Sequence, residues 1–553
     1  MLRIRGGLVI DPRNRRSEVG DVCLRDGRVV DALPAAAPVL EARHLVVMPG
    51  GVDLHTHVAG PSVAAARLLC PEDGGRTLPT LAETGRLYAR MGYTTIVEAA
   101  VAPLGARAAH ADLDAIPIVD KALLVLLGNN EIALGFLAEG RPDALREYVA
   151  WVLEAARAFG VKAASPGGVE AWKCGLHDRG GTQPADASGA AAPAAPLETI
   201  LDAPGPAPGL TPRRIVQALA GAVRDLGLPH PLHLHMNGLG VPGNAAVALA
   251  TFEALAGLPA HVTHLQYHAY GGRTPAGLRS RAAEITAWIN AHPGLTCDAG
   301  QVVFGPATTI SADAAAQHRL HRATGRKWLN LDIEVESGCG IVPHAYRESH
   351  LVSAVQWAIG LEILLGIEDP WRVVLTTDHP NGGPFTSYPH IIRLLMDKPF
   401  RDGILARSHA RLKERTGLQG LSRQYSLEEI AVITRAAPAR LLGLESKGHL
   451  GPGADADLVL YDPSADPERM FANPIAVIKD GEPVAREGEI LRETPGRTLR
   501  AAPPRAGGRA RTAFEKEIRD QFEAYYTVPF EDYPVPEGAV RREQVVAARP
   551  VAR

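Results

Sequence analysis

The chain has 553 residues, with 58 lysines and arginines against 61 aspartates and glutamates, for a formal charge of −3. That length exceeds one ordinary core and suits a barrel with a companion domain, while the balanced charge leaves no basic groove for nucleic acid. No run approaches the roughly 18 apolar residues of a membrane span, and the N-terminus "MLRIRGGLVIDPRNRRSEVGDV" lacks the apolar stretch of a signal peptide, so a soluble, cytoplasmic protein is expected. Cys23, Cys70, Cys174, Cys297 and Cys339 are scattered, odd in number and without a C-x-x-C pair. This pattern argues against disulfides and iron–sulfur clusters and fits a reducing compartment.

Residues 1–50 read as short strands and tight turns in "RIRGGLVIDP", "DVCLRDGRVVDAL" and "HLVVMPG". The same texture returns within 426–500, in "GHLGPGADADLVLYDP" and "IAVIKDGEPVAREGEIL". One small β domain assembled from both ends of the chain is the simplest expectation. Between them, over 51–425, short apolar strands alternate with helical patterns: "GVDLHTH", "YTTIVEAA", "KALLVLLGNN", "GVKAAS", "PLHLHMN", "AHVTHLQ", "GLTCDAGQ" and "WRVVLTTDH". Eight such units predict an α/β fold, a closed (β/α)8 barrel of the TIM type, whose chemistry belongs at the C-terminal strand ends.

Two stretches break the repeat. Gly180 to Gly209 is rich in Ala, Pro and Gly and is expected as a long loop, either over the barrel mouth or as a surface excursion. "KWLNLDIEVESGCGIVPHAYRES" reads as an inserted hairpin ahead of the helix "HLVSAVQWAIGLEILLG". The tail, 501–553, is charged and Pro-rich and then aromatic, as suits an arm packing on its own barrel or on a neighbouring molecule.

The polar strand ends carry the functional signal. In "MPGGVDLHTHVAG", His55 and His57 project to one face because strand side chains alternate. An isolated His-x-His equally describes an exposed strand end. Here Lys162, His235, His264 and Asp378 follow on the fourth, fifth, sixth and eighth strands, so six donors from five strands meet at one rim. Imidazole and carboxylate suit zinc, with one position left for water. Lys162 is the misfit, since an ammonium repels cations; beside metal ions it shifts toward the neutral amine, which adds carbon dioxide to become a bridging carbamate. A salt bridge to a neighbouring strand is the plainer role for Lys162.

This set of residues resembles the amidohydrolase superfamily, with its His-x-His strand, strand-four lysine, two later histidines, strand-eight aspartate and split β-sandwich. Longer words narrow the resemblance: "HVAGPSVAAARLLCPED", "KAASPGGVEAWKCG", "HLHMNGLGVPGN", "HVTHLQYHAYGG" and "LTTDHPNGGPFTSYPH". They are similar to the A subunits of formylmethanofuran dehydrogenases and of bacterial formyltransferase/hydrolase complexes. The resemblance implies two zinc ions bridged by N6-carboxylysine at Lys162, one held also by His55, His57 and Asp378, the other by His235 and His264. His235 is favoured over His233, and His264 over His261, as the residue nearer each strand's C-terminal end.

The resemblance further implies hydrolysis of an N-formyl amine of the methanofuran type to formate and the amine, with Asp378 moving the proton, or formyl capture in the reverse direction. Partners would be the other subunits of such a complex. Arg67, Asn237, His268 and Tyr270 stand in the same words and are candidates for holding substrate, though "YHAYGG" also reads as a turn. With neither a cysteine cluster nor a dinucleotide fingerprint, the chain itself moves no electrons. A cyclic amidase of the hydantoinase or dihydroorotase kind and a non-catalytic scaffold are the alternatives.

Overall fold

Eight runs of aliphatic and β-branched residues form parallel strands: β1 (Gly51–Thr56), β2 (Tyr93–Val101), β3 (Asp120–Leu126), β4 (Gly160–Ala164), β5 (Leu232–His235), β6 (Ala260–Val262), β7 (Leu295–Asp298) and β8 (Val373–Val374). These correspond to the eight expected strands. The computed structural model describes residues 1–168, 197–205, 207, 209–331, 339–464, 466–505 and 507–549. Each strand pairs with the next from β1 to β8. A parallel bridge between Thr56 and His379 returns the ring to β1, with the His57 amide 2.7 Å from the His379 carbonyl. Strands β1, β3 and β4 are buried along their whole length, as a parallel sheet covered by helices requires.

The covering helices follow from local signals. Thr211 accepts a hydrogen bond from the Arg214 amide at 3.3 Å, and Pro212 opens the helix Pro212–Asp225, a favourable pairing of N-cap and first position. Ile215, Leu219 and Val223 recur every four residues on its buried side. That stripe joins Val161, Leu234 and Phe252 in the main core.

Both chain ends build one further sheet of nine strands. Val46–Pro49 lies antiparallel to Leu458–Tyr461, with Pro49 opposite Leu458 and Val46 opposite Tyr461. Its own core contains Ile4, Val9, Val22, Val47, Leu458 and Ile478. The passage from barrel to sheet differs from the expected boundary at 426. Residues Leu427–Leu441 form a helical run containing a π turn at Val432–Ala436. That run lies on the barrel, where the Leu375 amide reaches the Ile433 carbonyl at 3.1 Å.

The insertion before the eighth strand is larger than a hairpin. Strands Gly305–Ser311 and Leu329–Leu331 both flank Cys339–Tyr346, antiparallel to it, and helix Ala314–Thr324 connects the first two. The tail packs on its own barrel. Strand Thr498–Ala502 joins β3 through Thr498 and Lys121, and Trp151 stacks on Tyr533 at 5.5 Å. Most of the expected loop 180–209 falls among residues 169–196, outside the described residues, as does Cys174; Cys23, Cys70, Cys297 and Cys339 are buried. Among the described residues, no helix is long and apolar enough to cross a membrane.

Candidate metal centre

At the C-terminal end of β1, His55 and His57 point their Nε2 atoms to one place. Each lies 3.1 Å from Oδ1 of Asp378, and the three ligand atoms fall within 4.8 Å of one another. The opposite ring nitrogens are anchored: His55 Nδ1 stands 2.9 Å from Asp298 Oδ2 and His57 Nδ1 stands 3.0 Å from Glu98 Oε1. A carboxylate behind an imidazole fixes its tautomer and turns the other nitrogen toward a cation. Glu98 is held in turn by the Val58 and Ala59 amides, at 2.6 and 2.9 Å.

Lys162 completes the floor, its Nζ 3.1 Å from His55 Nε2. Burial lowers its pKa, against the pull of Asp378, Asp298 and Glu98. His235 and His264 stand face to edge with ring centres 4.5 Å apart. Burial pushes His235 down to about 3 and His264 well below its usual value, so both are neutral and have lone pairs to offer. His57 behaves oppositely. Burial disfavours its charge, yet Asp378 and Glu98 outweigh that and raise it to about 9, so this spot attracts positive charge, whether a proton or a metal ion. Burial likewise raises Asp378, but His55 and His57 hold it well below the usual carboxylate range.

His235 Nε2 and His264 Nδ1 are buried without a hydrogen-bond partner. Unmet acceptors beside two oriented imidazoles are what a cation site leaves open in the protein, and His55, His57 and Asp378 fit a divalent ion. The site opens into a cavity of about 1800 Å³ that Lys162, His235, His264 and Asp378 all line.

The other predicted residues divide. Tyr270 lines the cavity and accepts from Gln356 Nε2 at 2.9 Å. His268 is fully buried, with both ring nitrogens unpartnered and its ring 5.5 Å from that of His264. Arg67, Asn237 and His268 are not among the residues that line the cavity. Arg67 donates to the carbonyls of Val58 and Pro79 at 3.0 and 3.1 Å, and Asn237 to that of Pro166 at 3.2 Å, so both tie loops together. His233 and His261 do not line the cavity, although His233 forms a second candidate metal group with His55 and Asp298. The first is 3.0 Å from His230 Nε2, the second 3.3 Å from Asp298 Oδ2.

Sequence reasoning missed Glu98 and Asp298, although both lie in strands it had identified, in "YTTIVEAA" and "GLTCDAGQ", Glu98 inside β2 and Asp298 at the end of β7. For Asp298, an acid at the C-terminal end of a barrel strand was the available signal. It also missed Asp313, whose Oδ2 takes the Ser165 hydroxyl at 2.6 Å and lies 3.9 Å from His235 Nε2. A third cluster, Asp120 with Asp455 and Asp457, is already neutralised by Lys447 and Lys479.

A parallel barrel joined to a β domain from both chain ends, with these donors at its C-terminal rim, defines a hydrolase-type enzyme with a candidate metal centre. The chain belongs to the amidohydrolase family, whose profile matches residues 39–485. It is 39% identical over 568 residues to Protein FwdA of Methanocaldococcus jannaschii, covering 96% of each chain. The A subunit of the formyltransferase/hydrolase complex Fhc of Methylorubrum extorquens is 41% identical over 557 residues, with 97% of each chain covered. Among solved structures, the FhcABCD complex of Methylorubrum extorquens with methylofuran contains a chain that matches with a TM-score of 0.90 and 39% identity. That match covers 99% of this chain and 100% of the other.

Proposed function

We propose that this chain hydrolyses an N-formyl amine of the methanofuran type to formate and the free amine, as the hydrolase subunit of a one-carbon complex. The observation that carries the reading is the convergence of His55, His57, Lys162 and Asp378 on one point in a chain similar to the Fhc A subunit over 97% of both lengths. His55, His57, Lys162 and Asp378 would hold one zinc ion, and Lys162, His235 and His264 would hold a second if Lys162 carried a carboxyl group. The lowered basicity of the buried Lys162 amine supports that modification, because only the neutral amine adds carbon dioxide. Two such ions supply an acidified water and polarise a carbonyl oxygen.

The chain's own residues handle the proton and the substrate. Asp378 accepts the proton as water adds to the formyl carbon, then returns it to the amine nitrogen as the C–N bond breaks. Glu98 and Asp298 keep the two β1 imidazoles aimed. Arg273, Arg319, Arg322, Arg326 and Arg347 line the cavity, against the two acids Glu98 and Asp378, which favours an anionic carrier over a small neutral ring. The other subunits of such a complex are the proposed partners, and neither nucleic acid nor a membrane is among them.

The test compares formate release from an N-formylated methanofuran analogue with turnover of hydantoin and dihydroorotate, alongside metal analysis of the purified chain. Formate release with two metals per chain is expected. Turnover of the rings alone would transfer the chain to the cyclic amidases, and a metal-free, inactive protein would make it a scaffold.

A further inference from the structure

The sheet inserted between β7 and β8 ends at Tyr346, whose side chain lines the cavity together with Tyr267, His264 and Asp378. Its hydroxyl donates to the main-chain carbonyl of Asn381 at 3.0 Å and lies 2.8 Å from the hydroxyl of Tyr267. A phenol has one hydrogen to give and Asn381 takes it, so Tyr267 is the donor in the second bond. The Tyr267 amide in turn donates to the His264 carbonyl at 2.9 Å, and the Asn381 amide to the Asp378 carbonyl at 2.7 Å. Two hydroxyls thereby join the turn after β6, which carries His264, to the turn after β8, which carries Asp378.

Both turns need support from outside. His264 has φ +36° and Asp378 φ +51°, left-handed conformations that are unfavourable for a residue with a side chain. Such residues persist where surrounding contacts over-determine them. The inserted sheet supplies several on the Asp378 side: the Ile310 amide donates to Asn381 Oδ1 at 2.6 Å, and the Thr308 amide to the Pro380 carbonyl at 3.3 Å. Tyr346 is the member of that sheet that also reaches across to the His264 side. Both rings are nearly buried, at 4% exposure for Tyr346 and 9% for Tyr267, so the bond between them is shielded from competing water.

We propose that Tyr346, acting through Tyr267, is a positioning residue that fixes the separation of Asp378 and His264, so that the inserted sheet sets the geometry of the reaction centre. This rests on the hydrolase reading above, in which Asp378 must face first the attacking water and then the leaving amine. A displacement of about 1 Å in such a group lowers the rate on the order of a hundredfold.

The test uses Tyr346→Phe, Tyr267→Phe and the double variant in the full chain, with hydrogen exchange and steady-state kinetics on the N-formylated amine. Tyr346→Phe is expected to speed exchange about tenfold or more in both 262–269 and 376–384, and to lower kcat about 10- to 100-fold with KM within about twofold. The double variant is expected to lose no more than Tyr346→Phe alone, because the two hydroxyls act as one unit. Faster exchange confined to 339–346, or a loss carried by KM alone, overturns the proposal. If Tyr346→Phe does not fold, Tyr267→Phe breaks the same bond from the other side and is judged by the same criteria. Should the unaltered chain release no formate, the hydrolase reading fails while the exchange data still decide whether the clamp exists.

Discussion

His57 owes its direction to Glu98, and this makes Glu98 the most informative single residue outside the donor set. In Glu98→Gln the new amide NH2 faces either His57 Nδ1 or the Val58 and Ala59 amides, and each choice sets a donor against a donor. Escape requires His57 to carry its proton on Nε2, the atom aimed at Asp378. Metal affinity is expected to fall about 10- to 100-fold, measured by competition with a chelating dye. Asp378→Asn removes the proton acceptor, and kcat for formate release should fall about 10²- to 10⁴-fold; unchanged kcat would remove Asp378 from the proposed chemistry. Of these two residues only Asp378 was legible in the sequence, as the acid closing a strand with a histidine after it. Glu98 carries no such mark, because its partner His57 lies 41 residues away and the pairing exists only once β1 and β2 are side by side.

The strands that carry the centre are short, and they give way to irregular turns. β8 spans two residues and β6 three, so Asp378 and His264 belong to turns instead of continuing strands. At Gly382 the turn after β8 passes so close to its neighbours that an added Cβ would lie 2.6 Å from the Gln301 carbonyl oxygen, 2.7 Å from that of Thr377 and 2.9 Å from that of Gly300. All three obstacles are backbone and cannot rotate away. Gly382→Ala should therefore cost about 1–3 kcal/mol in denaturant unfolding and weaken metal binding, whereas a full-strength site would show that the turn repacks without moving Asp378. Short apolar runs between helical patterns predicted all eight strands, since such runs are local features of a sequence. They overextended the sixth and eighth, because positive φ at His264 and Asp378 is imposed by contacts from distant segments.

At the scale of the molecule, barrel and terminal sheet are joined by a buried knot of charge. Lys447 Nζ stands 2.6 Å from Asp120, 2.9 Å from Asp457 and 3.0 Å from Asp455, with Lys479 and Arg497 3.1 and 2.9 Å from Asp120. Burial would raise Asp120 and Asp457, but these cations hold both below the ordinary carboxylate value. The folded chain therefore binds protons at these sites less readily than the unfolded one. Their contribution to stability is full above an unfolded pKa of about 3.9 and disappears as pH falls through the lower folded values. Thermal unfolding followed from pH 7 to pH 2 should show a loss beginning near pH 4. Lys447→Ala leaves three buried carboxylates with one cation fewer and should cost about 3–5 kcal/mol at neutral pH, with a shallower acid dependence, since the folded carboxylate values then rise. An unchanged melting temperature in that variant would show the knot to be dispensable.

Short apolar runs and the residue types at strand ends are properties of short segments, and they sufficed to identify a (β/α)8 barrel and a β domain drawn from both termini, and to point to six candidate donors at one rim. Which of His233 and His235, or of His261 and His264, meets the cavity was suggested by position along a strand, but the outcome depends on how far each strand rises before its turn. The backing acids Glu98 and Asp298, the loop-tying duty of Arg67 and Asn237, the place of the tail strand beside β3 and the helical run at 427–441 on the barrel were decided by tertiary structure alone. Most rest on contacts between residues far apart in the chain, 243 residues for His55 and Asp298, and such contacts come into being only when the ring of strands closes.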